Sequence, residues 1–398
     1  MNEFIADLVK KVKPSATIAV SMKAAELKAA GQDVIGLGAG EPDFDTPGHI
    51  KQAAIDAINK GQTKYTAVDG TAELKQAIID KLKRDNQVDY HANELLVSCG
   101  AKHSIFNLLN AVINPGDEVI IPAPYWVSYP DMTLLAGGES VIVQTTADNA
   151  FKMTAAQLSA TITDKTKLII LNSPSNPTGQ VYSQAELVAI CEVVQANPHV
   201  LIMTDDIYEH IYWGDEPLTN LVALFPALKD RVILVNGVSK GYAMTGWRIG
   251  FAAANKDIIT AMRKLQSQST SNPCSISQAA AAAAFSGPQD CLQTMTDALK
   301  ERHDFVVQAL NEIDGINCLS GDGAFYAFAD VTALIDLHKG CDNDVELATW
   351  LLESAGVAVV PGTPFGAPGY IRISFATGMD VLEAAMVRIK KAVNDLKD

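Results

Sequence analysis

The sequence predicts an α/β protein: a mostly parallel sheet of seven strands between helices, followed by a smaller α/β domain. Three observations predict it. Between residues 95 and 255, seven short apolar runs alternate with longer stretches of helical periodicity. The runs are apolar throughout rather than alternating, which is the pattern of parallel strands covered on both faces. From about residue 290 the rhythm changes to long helical stretches separated by short strand-like segments.

Taken in order, residues 15–30 read as a helix, and the runs at 95–99, 118–122, 140–143, 168–171, 200–204, 232–235 and 249–253 read as the strands. The alanine-rich run 279–284 reads as a tightly packed helix. A long helical pattern over 291–313 leads to Gly323-Ala-Phe-Tyr-Ala-Phe328, a helix near 344–355, the strand-like Gly369-Tyr-Ile-Arg-Ile-Ser-Phe375 and a final helix. This divides the chain into a large domain over 46–290 and a small domain over 291–398, which residues 1–45 join. There are no internal repeats and no low-complexity linker. Ligands of such sheets bind at the carboxyl ends of the strands, and each chemically notable residue below falls just after one of these runs.

Composition narrows the function. A net charge of −15 argues against a broad basic surface for nucleic acid or anionic membrane. Six scattered cysteines, with no C-x-x-C pair and no histidine cluster, fit reduced thiols in a cytoplasmic protein and predict neither a disulfide framework nor a metal site. The N-terminal stretch carries acids and lacks a long apolar region, so no signal peptide is expected. No run of about 18 apolar residues predicts a membrane span.

The most informative stretch is Gly237-Val-Ser-Lys240-Gly-Tyr-Ala-Met-Thr-Gly246-Trp-Arg248-Ile-Gly250. A core strand empties into a small-residue turn that holds one lysine. By itself that could be a surface lysine in a glycine-rich loop. A buried lysine must pair or lose its charge, and the same burial makes the amine a nucleophile toward carbonyls. Ser239 and Arg248 flank it as donors suited to a phosphate dianion. A reactive amine beside a phosphate site suggests a Schiff base to a phosphorylated aldehyde, pyridoxal phosphate (PLP).

Other segments offer matching chemistry. Asp205, in Thr204-Asp-Asp-Ile-Tyr208, is a strand-end carboxylate that could cap a helix or serve as the anion that keeps a cofactor pyridine protonated. Asn172-Ser-Pro-Ser-Asn176-Pro-Thr-Gly179 reads as a proline-directed turn after a strand. Gly100-Ala101-Lys102 follows a strand and opens a helix whose backbone amides suit phosphate oxygens. Trp126 lies in Pro124-Tyr-Trp-Val-Ser-Tyr129, and Arg372 lies mid-strand between two isoleucines, where it could face solvent. The run Ile35-Gly-Leu-Gly-Ala-Gly-Glu-Pro-Asp43 imitates a dinucleotide fingerprint. Its third glycine would fall at Glu41 with Pro42 following, which excludes a nicotinamide site.

The lysine segment, the Asn-Pro-Thr-Gly turn and the Arg-Ile-Ser-Phe strand occur in the order of the class I aminotransferases of PLP fold type I, and the resemblance extends from about residue 15 to 388. It implies PLP as cofactor, a homodimer with shared active sites, and small amino acid and 2-oxo acid substrates. It makes Lys240 the Schiff-base lysine and general base, Asp205 the pyridinium partner, and Tyr208 and Asn176 donors to the ring oxygen. Gly100, Ala101, Lys102, Ser239 and Arg248 surround the phosphate. Trp126 stacks on the ring and reaches a substrate carboxylate, Arg372 forks the α-carboxylate, and Gly40 lies against it. Tyr65 matches a tyrosine that reaches the phosphate of the neighbouring subunit, and residues 271–273 also reach toward that interface. Within the bacterial Iβ subgroup, Lys102, Ser15 and Thr17 line the distal-carboxylate pocket. The implied reaction is transamination of L-aspartate with 2-oxoglutarate by a ping-pong mechanism. Aromatic or prephenate transamination is the alternative, and a PLP β-lyase or ring-closing synthase a lesser one.

Overall fold

The computed structural model describes residues 4–338 and 340–396; Met1–Glu3, which open the N-terminal stretch read above, lie outside them. The strands are β1 (Ile35–Gly36), β2 (Leu95–Ser98), β3 (Glu118–Ala123), β4 (Glu139–Gln144), β5 (Thr166–Asn172), β6 (Leu201–Asp205), β7 (Val232–Gly237), β8 (Gly250–Ala253), β9 (Asn317–Cys318), β10 (Tyr326–Asp330), β11 (Val357–Ala358), β12 (Val360–Pro361) and β13 (Tyr370–Ser374). The large sheet has the order β2-β8-β7-β6-β5-β3-β4. All seven expected strands are present within a residue or two of their expected bounds, and only β8 runs antiparallel to its neighbours.

Successive residues of one strand feed different cores. Leu95 and Val97 pack with Leu74, Ile78 and Phe285 on one face, whereas Leu96 joins Ile105, Leu108 and Met262 on the other. Covering both faces is what makes the runs apolar throughout. Helices start where their sequences supply caps. Ser183 accepts from the Glu186 N–H while Glu186 reaches back to the Ser183 backbone, and Thr154 and Gln157 do the same one helix earlier.

The carboxy-terminal part builds a second sheet, β12-β13-β10-β9. Ile371 and Ile373 of β13 point into its core beside Phe325, Leu347 and Ile389. The N-terminal segment attaches to this core: β1 pairs in parallel with β11, and Ile35 and Leu37 pack within it. Two expectations shift, and one alternative falls away. The segment from Gly323 turns before the strand begins at Tyr326. The helix near 344–355 is α-helical only over Asp344–Trp350, widens to a π turn over Leu351–Ala355, and ends on Gly356 at φ 64°. Arg372 does not face solvent; it is 1% exposed. Among the described residues no helix is long and apolar enough to cross a membrane, and all six cysteines are unpaired.

Candidate active site

A cavity of about 730 Å³ opens at the carboxyl end of the large sheet, between it and β10 and β13. The parallel strands β5, β6 and β7 deliver Asn172 and Asn176, Asp205 and Tyr208, and Ser239 and Lys240 to it; Lys102 and Trp126 follow β2 and β3. Arg248 precedes its strand instead. Because β8 is antiparallel, its starting end lies where the other strands finish, so Arg248 reaches the same rim. Ser15 and Thr17 enter from the helix Ala16–Ala29 and the residue before it.

The lysine amine sits on the cavity floor and donates to the Gly40 carbonyl at 2.5 Å. Burial, and next the Arg372 charge, pull its pKa from 10.5 down to about 8. Asp205, 5% exposed, accepts from the Tyr129 hydroxyl at 2.7 Å, and the Asn172 side chain donates to its backbone carbonyl at 2.8 Å. Burial raises its carboxyl to about 6 even against the Tyr129 bond. A buried carboxylate pushed upward in this way favours a cationic partner.

At the opposite rim, Gly100 caps the helix Ala101–Val112 at φ 87° without any side-chain cap. The Arg248 guanidinium lies where a Gly100 Cβ would be, and the backbone of Ala101 lies where a Gly250 Cβ would be. Both glycines are therefore required by close approach: they let the helix start, β8 and the arginine converge on one spot. Uncapped helix amides beside a guanidinium form an anion cradle. Lys102 stands over the Trp126 ring at 4.7 Å, and the surrounding walls together with Arg248 lower its ammonium pKa.

Arg372 donates to the Asn176 side-chain oxygen at 2.9 Å and to the Gly38 carbonyl at 2.7 Å. Its Nε is buried without a partner. A buried guanidinium with an unspent donor, lining a cavity, is equipped to grip a carboxylate.

Of the residues singled out from the sequence, all but Gly100, Tyr65 and residues 271–273 line the cavity directly, and Gly100 borders it through Ala101. Tyr65 is elsewhere: it is 92% exposed, in a surface groove with Lys60 and Ala279. Two residues in the cavity wall were missed. Tyr129 holds Asp205, and Tyr326 meets Tyr208 hydroxyl to hydroxyl at 2.9 Å. Both lie in segments quoted above, and the signal that could have found them was a phenol in an otherwise apolar run, since a buried hydroxyl needs a partner.

The donor set fits PLP. One amine has a depressed pKa, one carboxylate is buried opposite, one anion cradle would be filled by a single methyl group, and one guanidinium nitrogen is unspent.

Comparison with known proteins gives the family. The family model for aminotransferase class I and II matches residues 32–389. The chain is 54% identical to an aspartate/prephenate aminotransferase of Nitrosomonas europaea, over 96% of this chain and 97% of that one. It superposes on the aspartate aminotransferase of Rhizobium meliloti with a TM-score of 0.95 at 46% identity, covering 98% of both chains. With the aspartate aminotransferase of Thermus thermophilus bound to maleate the TM-score is 0.92 at 39% identity, covering 98% and 99%. Likeness this extensive places the chain in the class I and II aminotransferase family, and it is an enzyme of that family.

Proposed function

We propose that the protein transaminates L-aspartate with 2-oxoglutarate, using PLP held at Lys240. The observation that carries the reading is one amine of lowered pKa in a cavity that also holds an acid, an anion cradle and a buried guanidinium. PLP, when bound, supplies the aldehyde that captures the amino group and the electron sink that lets the substrate α-proton leave.

The remaining work belongs to this chain. The helix start at Ala101 and Lys102, with Ser239 and Arg248, holds the phosphate. Asp205, kept in place by Tyr129, carries the negative charge that sits opposite a ring cation. Tyr208 and Asn176 present donors to the ring oxygen, and Trp126 covers the ring face. Arg372 orients the α-carboxylate through its guanidinium fork. Lys240 Nζ takes the α-proton and returns it to the carbon on the far side of the substrate nitrogen, which its pKa near 8 suits at neutral pH. Lys102, Ser15 and Thr17 receive the distal carboxylate.

Two supporting readings accompany this. The exposed Tyr65 fits a homodimer in which it completes the neighbouring site, and the attachment of β1 to β11 supports a small domain that gathers 1–45 with 291–398. A second substrate reading has its own observation. Ile18, Met22 and Ile105 give the cavity an apolar wall beside Lys102, suited to the ring of prephenate or of an aromatic amino acid, and a relative carries aspartate/prephenate in its name.

The test is borohydride fixation of the PLP-loaded protein, followed by half-reactions at the cofactor absorbance band: aspartate and phenylalanine with the PLP form, 2-oxoglutarate and prephenate with the aminated form. The reading expects a pyridoxyl adduct on the Lys240 peptide and fastest conversion with the dicarboxylic pair. No adduct there sinks the cofactor reading. Release of pyruvate and ammonia from a cysteine conjugate, without conversion of the cofactor, would mark a lyase.

A further inference from the structure

One buried hydroxyl in the cavity wall has no part in the chemistry above. Tyr326, 2% exposed on β10, touches three parts of the site. Its hydroxyl is 2.9 Å from that of Tyr208, and either can donate. Its ring lies 4.3 Å from the Arg372 guanidinium. A carbon added to Gly40 would come within 2.9 Å of its hydroxyl, so that glycine leaves the space it occupies. The two tyrosine rings meet nearly perpendicular, at 81° and 5.9 Å, and Phe325 meets Tyr208 at the same angle from 5.4 Å. Tyr208 follows a strand of the large sheet and Tyr326 belongs to the second sheet, so this bond joins the two halves of the cavity.

We propose that Tyr326 is a positioning residue, whose hydroxyl donates to the Tyr208 oxygen and so leaves the Tyr208 hydrogen aimed at the ring oxygen of the cofactor. The proposal rests on the cofactor reading above. A phenol has one hydrogen and two acceptor lone pairs. A Tyr208 that donates its hydrogen to the cofactor can still accept one, and the Tyr326 hydroxyl is in reach to supply it. A Tyr208 that spent its hydrogen on Tyr326 would turn only lone pairs toward an anionic oxygen, which is repulsive. Donors in series polarise one another, so the first bond strengthens the second. A stronger donor on the ring oxygen stabilises its anion and holds down the proton affinity of the lysine-linked nitrogen beside it. Phenylalanine at position 326 would keep the ring against Arg372 and remove only the oxygen.

The test is a double-mutant cycle on the PLP-loaded protein with Tyr326→Phe, Tyr208→Phe and both. The readout is the midpoint of the spectral titration of the lysine-linked cofactor without substrate, with circular dichroism as the check on folding. Tyr326→Phe is expected to raise the midpoint by about half a unit, a fraction of a hydrogen bond. Tyr208→Phe is expected to raise it further, and the double variant to match Tyr208→Phe alone. Maleate affinity in Tyr326→Phe should stay within about twofold of wild type, because the ring under Arg372 remains. An unmoved midpoint in Tyr326→Phe, or a double variant whose shift is the sum of the singles, overturns the proposal while the wild-type band leaves the cofactor reading standing. A wild-type protein with no lysine-linked band overturns both.

Discussion

Among the described residues, Lys240 Nζ donates to one neutral partner, the Gly40 carbonyl, and the Tyr208 and Phe325 rings lie 5.9 and 5.7 Å away. Its folded pKa, about 8, lies below the ordinary 10.5. Between those values the unfolded chain holds the proton and the folded one does not, so this group's contribution to stability increases with pH across that window. The reactive neutral amine grows over the same range. The rate of PLP addition to the apoprotein should therefore rise with a midpoint near pH 8, and Lys240→Ala should abolish the lysine-linked band while turnover falls by several orders of magnitude. An addition rate still climbing at pH 10 would contradict the burial argument. Lys240, Asp205, Asn176 and Arg372 were legible in the sequence because each occupies a short motif after or within an apolar run. Tyr129 and Tyr326 were not, because their importance comes from a partner 76 or 118 positions away in the chain.

At the scale of elements, the meeting of β8 with the first turn of Ala101–Val112 carries a sharp steric condition. A methyl group at Gly250 would overlap the Ala101 backbone and must push the helix start away from Arg248. Gly250→Ala is expected to weaken PLP binding about tenfold, roughly 1.4 kcal/mol, with secondary structure retained by circular dichroism. Gly48→Ala, where nothing lies within 4 Å, should leave affinity unchanged. Equal affinities in the two variants would show that the helix start does not hold the phosphate. The strands were legible because burial on both faces writes a continuous apolar run. The direction of β8 was not, since hydrogen-bond polarity leaves no trace in residue type. The π turn at Leu351–Ala355 also continues an ordinary helical pattern.

At the scale of the whole molecule, a buried ionic network lies behind Asp205. Lys81, fully buried, pairs with Glu209, which also accepts from Asn86 at 2.8 Å and Asn236 at 2.7 Å. Asp206, beside it, accepts from the Asn220 side chain at 3.2 Å. Burial, and next the negative charge of Glu209, raise its carboxyl from 3.8 to about 8. The folded state then holds more protons than the unfolded one between those values, so Asp206 takes stability away as pH rises through them. Asp206→Asn should gain on the wild-type apoprotein as pH rises from 5 to 8, by about 1–3 kcal/mol. Thermal melts at the two pH values check this, and a constant difference would refute it. The proposed dimer is testable by mixing. Lys240→Ala and Tyr65→Ala chains, each impaired alone, should regain activity when refolded together, because the hybrid unites an intact lysine with the other chain's tyrosine. No recovery would place Tyr65 outside the site.

The reversed strand sets one more constraint. Gly237 and Gly250 are locked opposite each other in the β7–β8 ladder, so the connection between them is pinned at both ends like a bridge deck, with Lys240 near one pier and Arg248 near the other. Side chains along the span can be exchanged, but an insertion or deletion there changes the distance between amine and guanidinium at once. Homologues that keep this chemistry should vary in the spelling of the span and hardly ever in its length.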